Sequence, residues 1–291
     1  MKRKTIFRKI DALRRRYYKA LTGKQSIIDL INEAEIAESV YNSNAIENST
    51  LTLEETEKIL LEMDLNRFVS AREMFEAKNL ARVMDYIHKK VNNIKLDENT
   101  ILFLHKMLMV NIQDEIAGRF RRDNEFVRVG SHIAPAPQEI AERMTNAIIE
   151  YFGNASEHIV TRVAKFHLDF EYTHPFIDGN GRMGRVLNNF ILLKEGWVTV
   201  NIQFIDRQLY YDAFREYNIK NKPLIMEEII AKALLNSYHK RLAYLEGRKI
   251  IKLCEYAKQQ KTSHSNLLNK AKRQTIEAFL EKGTWKISTD D

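Results

Sequence analysis

The stretch His174-Pro175-Phe176-Ile177-Asp178-Gly179-Asn180-Gly181-Arg182-Met183-Gly184-Arg185 puts an imidazole, a carboxylate, a glycine-rich turn and two guanidinium groups within one short segment. Upstream, Ile159, Val160, Val163, Ala164, Phe166, Leu168 and Phe170 recur at helical spacing. Downstream, Val186, Leu187, Phe190, Ile191 and Leu193 do the same until Gly196. The segment therefore reads as a turn where one helical pattern stops and the next begins. A Gly-Asn-Gly turn opening a helix aims several backbone N–H groups outward at the positive end of the helix dipole. That is an anion site, and a phosphate chain suits it.

The rest of the 291-residue chain frames this turn. Hydrophobic residues make up 44% and charged residues 29%, the balance of a globular protein with a sizeable core. Only 10 Gly and 4 Pro among many Leu, Ile, Glu, Lys and Arg predict a mostly helical chain. The single Cys254 excludes an internal disulfide framework and fits a reducing, cytoplasmic setting. No apolar run is long enough to span a bilayer, and the basic N-terminus lacks the apolar segment of a secretory signal. The net charge of +7 is uneven. Residues 1–25 carry +9 and residues 246–291 carry +4, which leaves −6 on the body between them. Those basic ends read more simply as solvated helix faces than as a nucleic-acid footprint.

Along the chain, Ile6, Ile10, Leu13, Tyr17 and Leu21 predict a basic amphipathic helix over 3–22. Ser26 is a candidate cap for a second helix carrying Ile27, Ile28, Leu30, Ile31, Ile36 and Val40. Thr52-Leu53-Glu54-Glu55 is a capping box. Further helices are predicted from Ala71 to about Val91, after Asp97, at 138–152, 156–172, 207–219 and 224–245. Phe126, Val127, Arg128, Val129 and Gly130, followed by Pro135 and Pro137, give the one convincing β signal, a hairpin. Trp197 to Ile202 reads as a short extended piece, and the tail after Gly247 as helical and polar. Thr284 to Ser288 could start a small appended element.

His174 is the one group of the turn able to accept a proton near neutral pH, which makes it the candidate base. Asp178 suits Mg²⁺, which takes one or two carboxylates plus phosphate oxygens. Gly179, Asn180 and Gly181 let backbone approach a phosphate chain closely. Arg182 and Arg185 share one face of the helix's first turns. Cations there oppose the dipole, so phosphate clamping explains them better than a structural role.

His174 to Arg185 resembles the signature of the Fic (filamentation induced by cAMP) family, His-Pro-Phe-x-Asp/Glu-Gly-Asn-Gly-Arg-x-x-Arg, with every specified position filled. The resemblance extends from about Ala71 to about Leu245. It implies an all-α helical bundle with a small β-hairpin flap, and transfer of AMP from ATP, with Mg²⁺, to a hydroxyl of a target protein and of the chain itself. It also implies that Arg185 holds the γ-phosphate. Gly181 stands where the family's kinase-type variant has a lysine, which favours nucleotidyl transfer. Gly118 to Arg121, Val127 to Val129 and Ser131 to Pro135 resemble the flap, which pairs with an extended target segment. Arg207 to Tyr211 with Asn218 resembles the nucleoside region, where Tyr210 and Asn218 would contact adenine and ribose.

Ser43-Asn44-Ala45-Ile46-Glu47-Asn48 resembles the family's inhibitory motif, Ser/Thr-x-x-x-Glu-Gly/Asn, at the position of the class with an N-terminal inhibitory helix. Glu47 would then pair bidentately with Arg185 where the γ-phosphate belongs, and Ser43 would tie that helix to the loop. The implied organisation is an N-terminal helical region over 1–66 with the inhibitory helix, a catalytic core over 67–245 and a helical, basic extension over 246–291. Expected partners are ATP and a protein bearing a hydroxyl side chain, with a second copy of the chain left open and no membrane. Two rival readings stand beside transfer. One is hydrolytic removal of AMP, with Glu47 orienting water. The other is a nucleotide-sensing, DNA-binding regulator using the basic ends. Leu267 to Ile287 resembles the opening of a winged-helix element, but the sequence reads as stopping before a recognition helix is complete, so no nucleic-acid partner is expected.

Overall fold

The computed structural model describes residues 3–129 and 132–289. In chain order, α1 (Arg3–Leu21), α2 (Gln25–Ile46), α3 (Leu53–Leu60), α4 (Ala71–Lys90) and α5 (Glu98–Met109) come first. A short hairpin, β1 (Arg128–Val129) and β2 (His132–Ile133), follows. Next are α6 (Ile140–Gly153), α7 (Ile159–Thr173), α8 (Asn180–Lys194), α9 (Arg207–Lys220) and α10 (Leu224–Leu245). The last elements are β3 (Lys249–Lys252), α11 (Leu253–Gln259), α12 (His264–Lys272), β4 (Ala278–Glu281) and β5 (Thr284–Thr289). The molecule is thus the expected all-α protein with a hairpin, plus one small sheet. No helix among the described residues is long and apolar enough to cross a membrane.

Helix starts follow the sequence signals closely. Thr52 and Glu55 form the reciprocal capping box of α3. The Asp97 carboxylate accepts the Thr100 N–H at 2.8 Å at the head of α5. Ser26, by contrast, lies inside the first turn of α2 rather than before it. Trp197 to Ile202 forms no strand.

The chain divides into two compact units. One comprises Ile36–Trp197 and Asn201–Ile229. At its centre α8 is buried on all sides, with 12 of its 15 residues inaccessible, and α7 is nearly as deep. An all-round apolar helix is what a bundle core requires. The polar residues buried in α8, namely Asn180, Arg182, Arg185, Asn188 and Asn189, therefore need a separate explanation. The close approach of α7 and α8 rests on Gly184. A Cβ there would come within 2.6 Å of Glu171 Oε1 and 2.8 Å of His167 Cε1.

The other unit comprises Met1–Glu35, Val198–Val200 and Ile230–Asp291. Its buried Arg241 is fully paired, with Glu35 at 2.6 Å, Asn32 at 2.9 Å and the Ser237 hydroxyl at 2.6 Å. Arg16 of α1 bridges Glu246 and Glu277 at 2.6 and 2.9 Å, so part of the N-terminal charge is structural. Here the sequence reading needs correction. The tail is not simply helical, and its second helix is complete. An antiparallel sheet of order β3-β5-β4 backs the α11–α12 pair. Leu253, Ala257, Leu267, Ala271, Ala278 and Ile287 make a small core of their own. The hairpin turns on Lys282 and Gly283, both with positive φ, the tight turn that matches strand twist. Its weak Lys-Gly signal hid the strand pair.

Gly184→Ala is expected to destabilise the chain by about 1–3 kcal/mol, the cost of overpacking a tight core contact. An unchanged urea midpoint would show that α7 and α8 do not meet there.

Candidate active site

The turn between α7 and α8 is held by groups that leave it little freedom. His174 ends α7 in the left-handed conformation, with φ 48° and ψ 60°. Buried Arg121 fixes it from the far side. Its Nε donates to the His174 carbonyl at 2.8 Å, Nη2 to the Thr173 and Pro135 carbonyls, and Nη1 to the Glu125 carbonyl at 2.8 Å. One guanidinium thus ties the end of α7 to the base of the hairpin. His105 stacks on Phe176 with ring centres 3.6 Å apart. Burial pushes the His105 pKa down to about 4, so the ring is neutral. Its Nδ1 accepts the Gly118 N–H at 3.0 Å, which leaves Nε2–H to donate to the Asp178 carbonyl at 3.0 Å. The Asn180 side chain closes the turn, accepting from the Phe176 N–H at 2.9 Å and donating to the Phe176 carbonyl at 2.8 Å.

Gly179 opens α8 with φ 81°, a conformation that favours glycine. Beside it, Asp178 pairs with Arg72 of α4 and lies 3.3 Å from Arg182. Burial works to raise the Asp178 pKa, but the Arg182 and Arg72 charges and the Gly179 N–H outweigh it and hold the carboxyl ionised. Arg182 is itself 3.2 Å from Glu76.

Arg185 is the hub. Its Nε donates to the Ser43 hydroxyl at 2.9 Å, Nη2 to the Ser43 carbonyl at 2.8 Å and to Glu47 Oε1 at 2.9 Å, and Nη1 to the Tyr210 hydroxyl at 3.3 Å. The Glu47 pair is therefore single rather than bidentate, because Ser43 takes the Nε side of the fork. The Glu47 carboxylate lies over the head of α8. A Cβ on Gly181 would overlap its Oε1 and come 2.8 Å from its Cδ. Glu47 follows the end of α2, where Arg207 donates to Asn48 Oδ1 at 2.6 Å and Tyr211 to the Ile46 carbonyl at 3.0 Å.

His174, Asp178 to Arg182, Arg185, Ser43, Glu47 and Tyr210 thus converge on one place. Tyr210 is wholly buried, and its hydroxyl also meets His167 Nε2 at 2.7 Å, so it presents no face for stacking. Asn218 lies on the exposed side of α9, two turns or about 12 Å beyond Tyr210. In the hairpin, Arg128 pairs with Ile133 and Val129 with His132, while the Val127 carbonyl accepts from the Ala134 N–H at 3.1 Å. Gly130 and Ser131 lie outside the described residues. No group of three or more His, Cys, Asp or Glu able to hold a metal occurs among the described residues. Asp178 is a carboxylate of the turn that could serve as a single metal donor.

Three residues escaped the sequence reading, Arg72, His105 and Glu171, and Arg121, read there as part of the flap, instead ties the end of α7 to the base of the hairpin. Glu171 is enclosed one turn before His174, its Oε2 4.0 Å from His174 Nδ1. Burial, reinforced by the Glu47 charge and partly offset by Arg185, raises its pKa to about 8. It is protonated at neutral pH.

An all-α core whose glycine-opened helix head lies between a histidine and two arginines is the class that fold and site define. Residues 95–192 match the Fic/DOC family model. The protein adenylyltransferase Fic of Nematostella vectensis is 31% identical over 217 residues, covering 72% of this chain and 49% of that protein. That of Drosophila erecta is 33% identical over 218 residues, covering 69% and 43%. The chain spans about half or less of these curated relatives. A Fic-domain signalling protein from Bacteroides thetaiotaomicron superposes with TM-score 0.72 at 22% identity, covering 81% of this chain and 98% of that one. A Fic family protein from Desulfovibrio desulfuricans does so with TM-score 0.67 at 20% identity, covering 98% and 96%. The chain carries a Fic/DOC family domain and shares the fold of these structures.

A carboxyl whose pKa is raised by folding favours the folded state at low pH and loses that contribution as pH rises toward its folded value. Between about pH 5 and 8, Glu171 should therefore make the melting temperature fall with pH. Glu171→Gln should flatten that slope in a thermal-shift series. An unaltered slope would mean Glu171 is ionised.

Proposed function

We propose that the chain is a protein adenylyltransferase, moving AMP from ATP to a Ser, Thr or Tyr hydroxyl of a target protein and of itself. The observation that carries this reading is the convergence of His174 and Arg185 on the glycine-opened head of α8, where a carboxylate already occupies an anion's place. The names of the adenylyltransferases that the chain resembles support it.

In the proposed reaction the target hydroxyl oxygen bonds to the α-phosphorus of ATP, the bond to the β-phosphate oxygen breaks, and pyrophosphate leaves. His174 takes the hydroxyl proton. Glu171, beside Nδ1, orients the ring. The N–H groups at the head of α8, with Arg182 and Arg185, bind the phosphates and offset charge as it moves to the leaving group. Mg²⁺, entering with the nucleotide on Asp178, would neutralise phosphate charge. Asn180 acts by holding the loop and Tyr210 by holding Arg185. The hairpin edge at Val127, Arg128 and Val129, with Val129 and Ile133 exposed, offers a strand for an extended target segment.

Glu47 is the inhibitory group of this reading. It holds the Arg185 contact that the γ-phosphate needs, as Ser43 and Asn48 hold its helix end in place. Nucleotide can still enter, but in a pose that misdirects the α-phosphorus.

Glu47→Gly should raise AMP incorporation about 5- to 150-fold, the factor that a coupling of about 1–3 kcal/mol gives. Mass spectrometry after incubation with Mg²⁺ and separate nucleoside triphosphates would identify the added group and its acceptor. Equal rates in wild type and variant would remove the inhibitory role, and release of AMP from a modified target would favour hydrolysis. His174→Ala in the Glu47→Gly background should cost about 10²–10⁴ in rate while ATP still binds. Loss of ATP binding instead would mean His174 is not the base.

A further inference from the structure

Four charged side chains close a ring beside the head of α8. Arg72 donates from Nη2 to Asp178 Oδ2 and from Nε to Glu76 Oε1 at 3.1 Å. Arg182 completes the ring, 3.3 Å from Asp178 Oδ1 and 3.2 Å from Glu76 Oε1. Two cations alternate with two carboxylates, so the formal charge of the ring is zero.

Its two arginines are not equivalent. Arg182 has 4% of its side chain exposed, whereas Arg72 has 54%. Arg72 stands in the first turn of α4, just after the Ser70 cap, where the helix dipole disfavours a cation. Its place is therefore explained by its two partners and not by its own helix. The two Asp178 oxygens differ as well. Oδ1 accepts the Gly179 N–H at 2.5 Å and lies against Arg182, so it is committed to the turn. Oδ2 takes Arg72. That leaves the metal-donor oxygen of the turn covered by the one member of the ring that is largely in solvent.

We infer that Arg72 competes with a divalent cation for Asp178 Oδ2, and turns aside onto Glu76 when a nucleotide brings one. The inference rests on the nucleotide site proposed above. A guanidinium and a divalent cation cannot share one carboxylate oxygen. At about 4 Å, even the dielectric of bulk water leaves a repulsion worth more than about tenfold in affinity, and a half-enclosed site screens less. Arg72 is the group able to yield. Its side chain is exposed, and Glu76, one turn further along α4, remains as its partner. Arg182 has no such freedom, and its buried Nε and Nη1 make no hydrogen bond among the described residues. Donors left over at that depth suit phosphate oxygens, which would arrive with the cation. The ring thus offers a phosphate chain its buried arginine, and offers the metal its carboxylate once the exposed arginine has moved.

The test is calorimetric titration of the non-transferable analogue α,β-methylene-ATP into the full chain, once with Mn²⁺ and once with EDTA. Glu47→Gly is the background throughout, and it is compared with the same chain carrying Arg72→Gln or Arg72→Lys. Arg72→Gln should tighten the analogue about tenfold or more with Mn²⁺, because a competitor is gone. With EDTA it should weaken the analogue, because Asp178 is left uncovered beside the phosphates. Arg72→Lys keeps the charge and should keep both affinities close to those of the background. Opposite shifts in the two arms are something that a general loss of structure cannot produce, and thermal melting would check that the variants fold. Weaker binding of Arg72→Gln with Mn²⁺ would make Arg72 a phosphate ligand and overturn the inference. Unchanged binding in either arm, or tighter binding in both, would overturn it as well, while leaving the nucleotide site standing. No binding by any of the three proteins would remove the nucleotide site itself, and the inference with it.

Discussion

A guanidinium buried in a helix core dominates the energetics of this molecule. Arg185 is only 7% exposed, and an uncompensated charge at that depth costs several kcal/mol. It must have an anion or a set of acceptors. Ser43 gives it two oxygens, Tyr210 a third, and Glu47 the one full negative charge it touches. In the proposed enzyme the same need would make the site a phosphate receptor. Whatever displaces Glu47 has to bring negative charge to the same place. Glu171, also adjoining, cannot serve, since it stays protonated at neutral pH.

Preorganisation of the turn follows from burial of its supports. A left-handed histidine and a left-handed glycine five residues apart would be a poor choice for an isolated peptide. Arg121, His105 and the Asn180 side chain over-determine the conformation, each satisfying backbone carbonyls or N–H groups that the turn would otherwise leave unpaired. In the proposed enzyme the N–H groups at the head of α8 are the ones that would meet a phosphate. Strain at the turn is thus balanced by hydrogen bonds that point away from the site, which leaves the site-facing donors available.

Sequence patterns made much of this legible. Capping residues fixed helix starts at Thr52 and Asp97, and apolar spacing fixed α1, α4 and α7 to α10. The turn motif is contiguous, so every member could be seen at once. The supports could not. Arg72 and His105 come from distant segments, and each looks like an ordinary surface or helix residue until the chain folds. Tyr210 and Asn218 share a resemblance to the family's nucleoside region, yet one faces the core and the other solvent. The small sheet was missed because its strands are four to six residues long, interrupted by charges, and turn on Lys-Gly rather than Asn-Gly.

The division of labour between Ser43 and Glu47 shapes how the site would open. Ser43 sits within α2, and its hydroxyl and carbonyl both hold Arg185. Glu47 lies just past the end of that helix, makes one hydrogen bond to Arg185 and is 39% exposed. Releasing it requires only the final turn to move, with the Asn48–Arg207 and Ile46–Tyr211 contacts of α9 as the resistance. Helix ends open at little cost compared with helix interiors. Arg185 would then keep its orientation through Ser43 and Tyr210 while exchanging a carboxylate for a phosphate. In the proposed enzyme, inhibition is therefore lifted at the periphery, and the buried clamp stays set throughout. A threshold for activation would lie in the α9 contacts more than in the Glu47–Arg185 pair itself, because the pair exchanges one anion for another whereas those two contacts are simply lost.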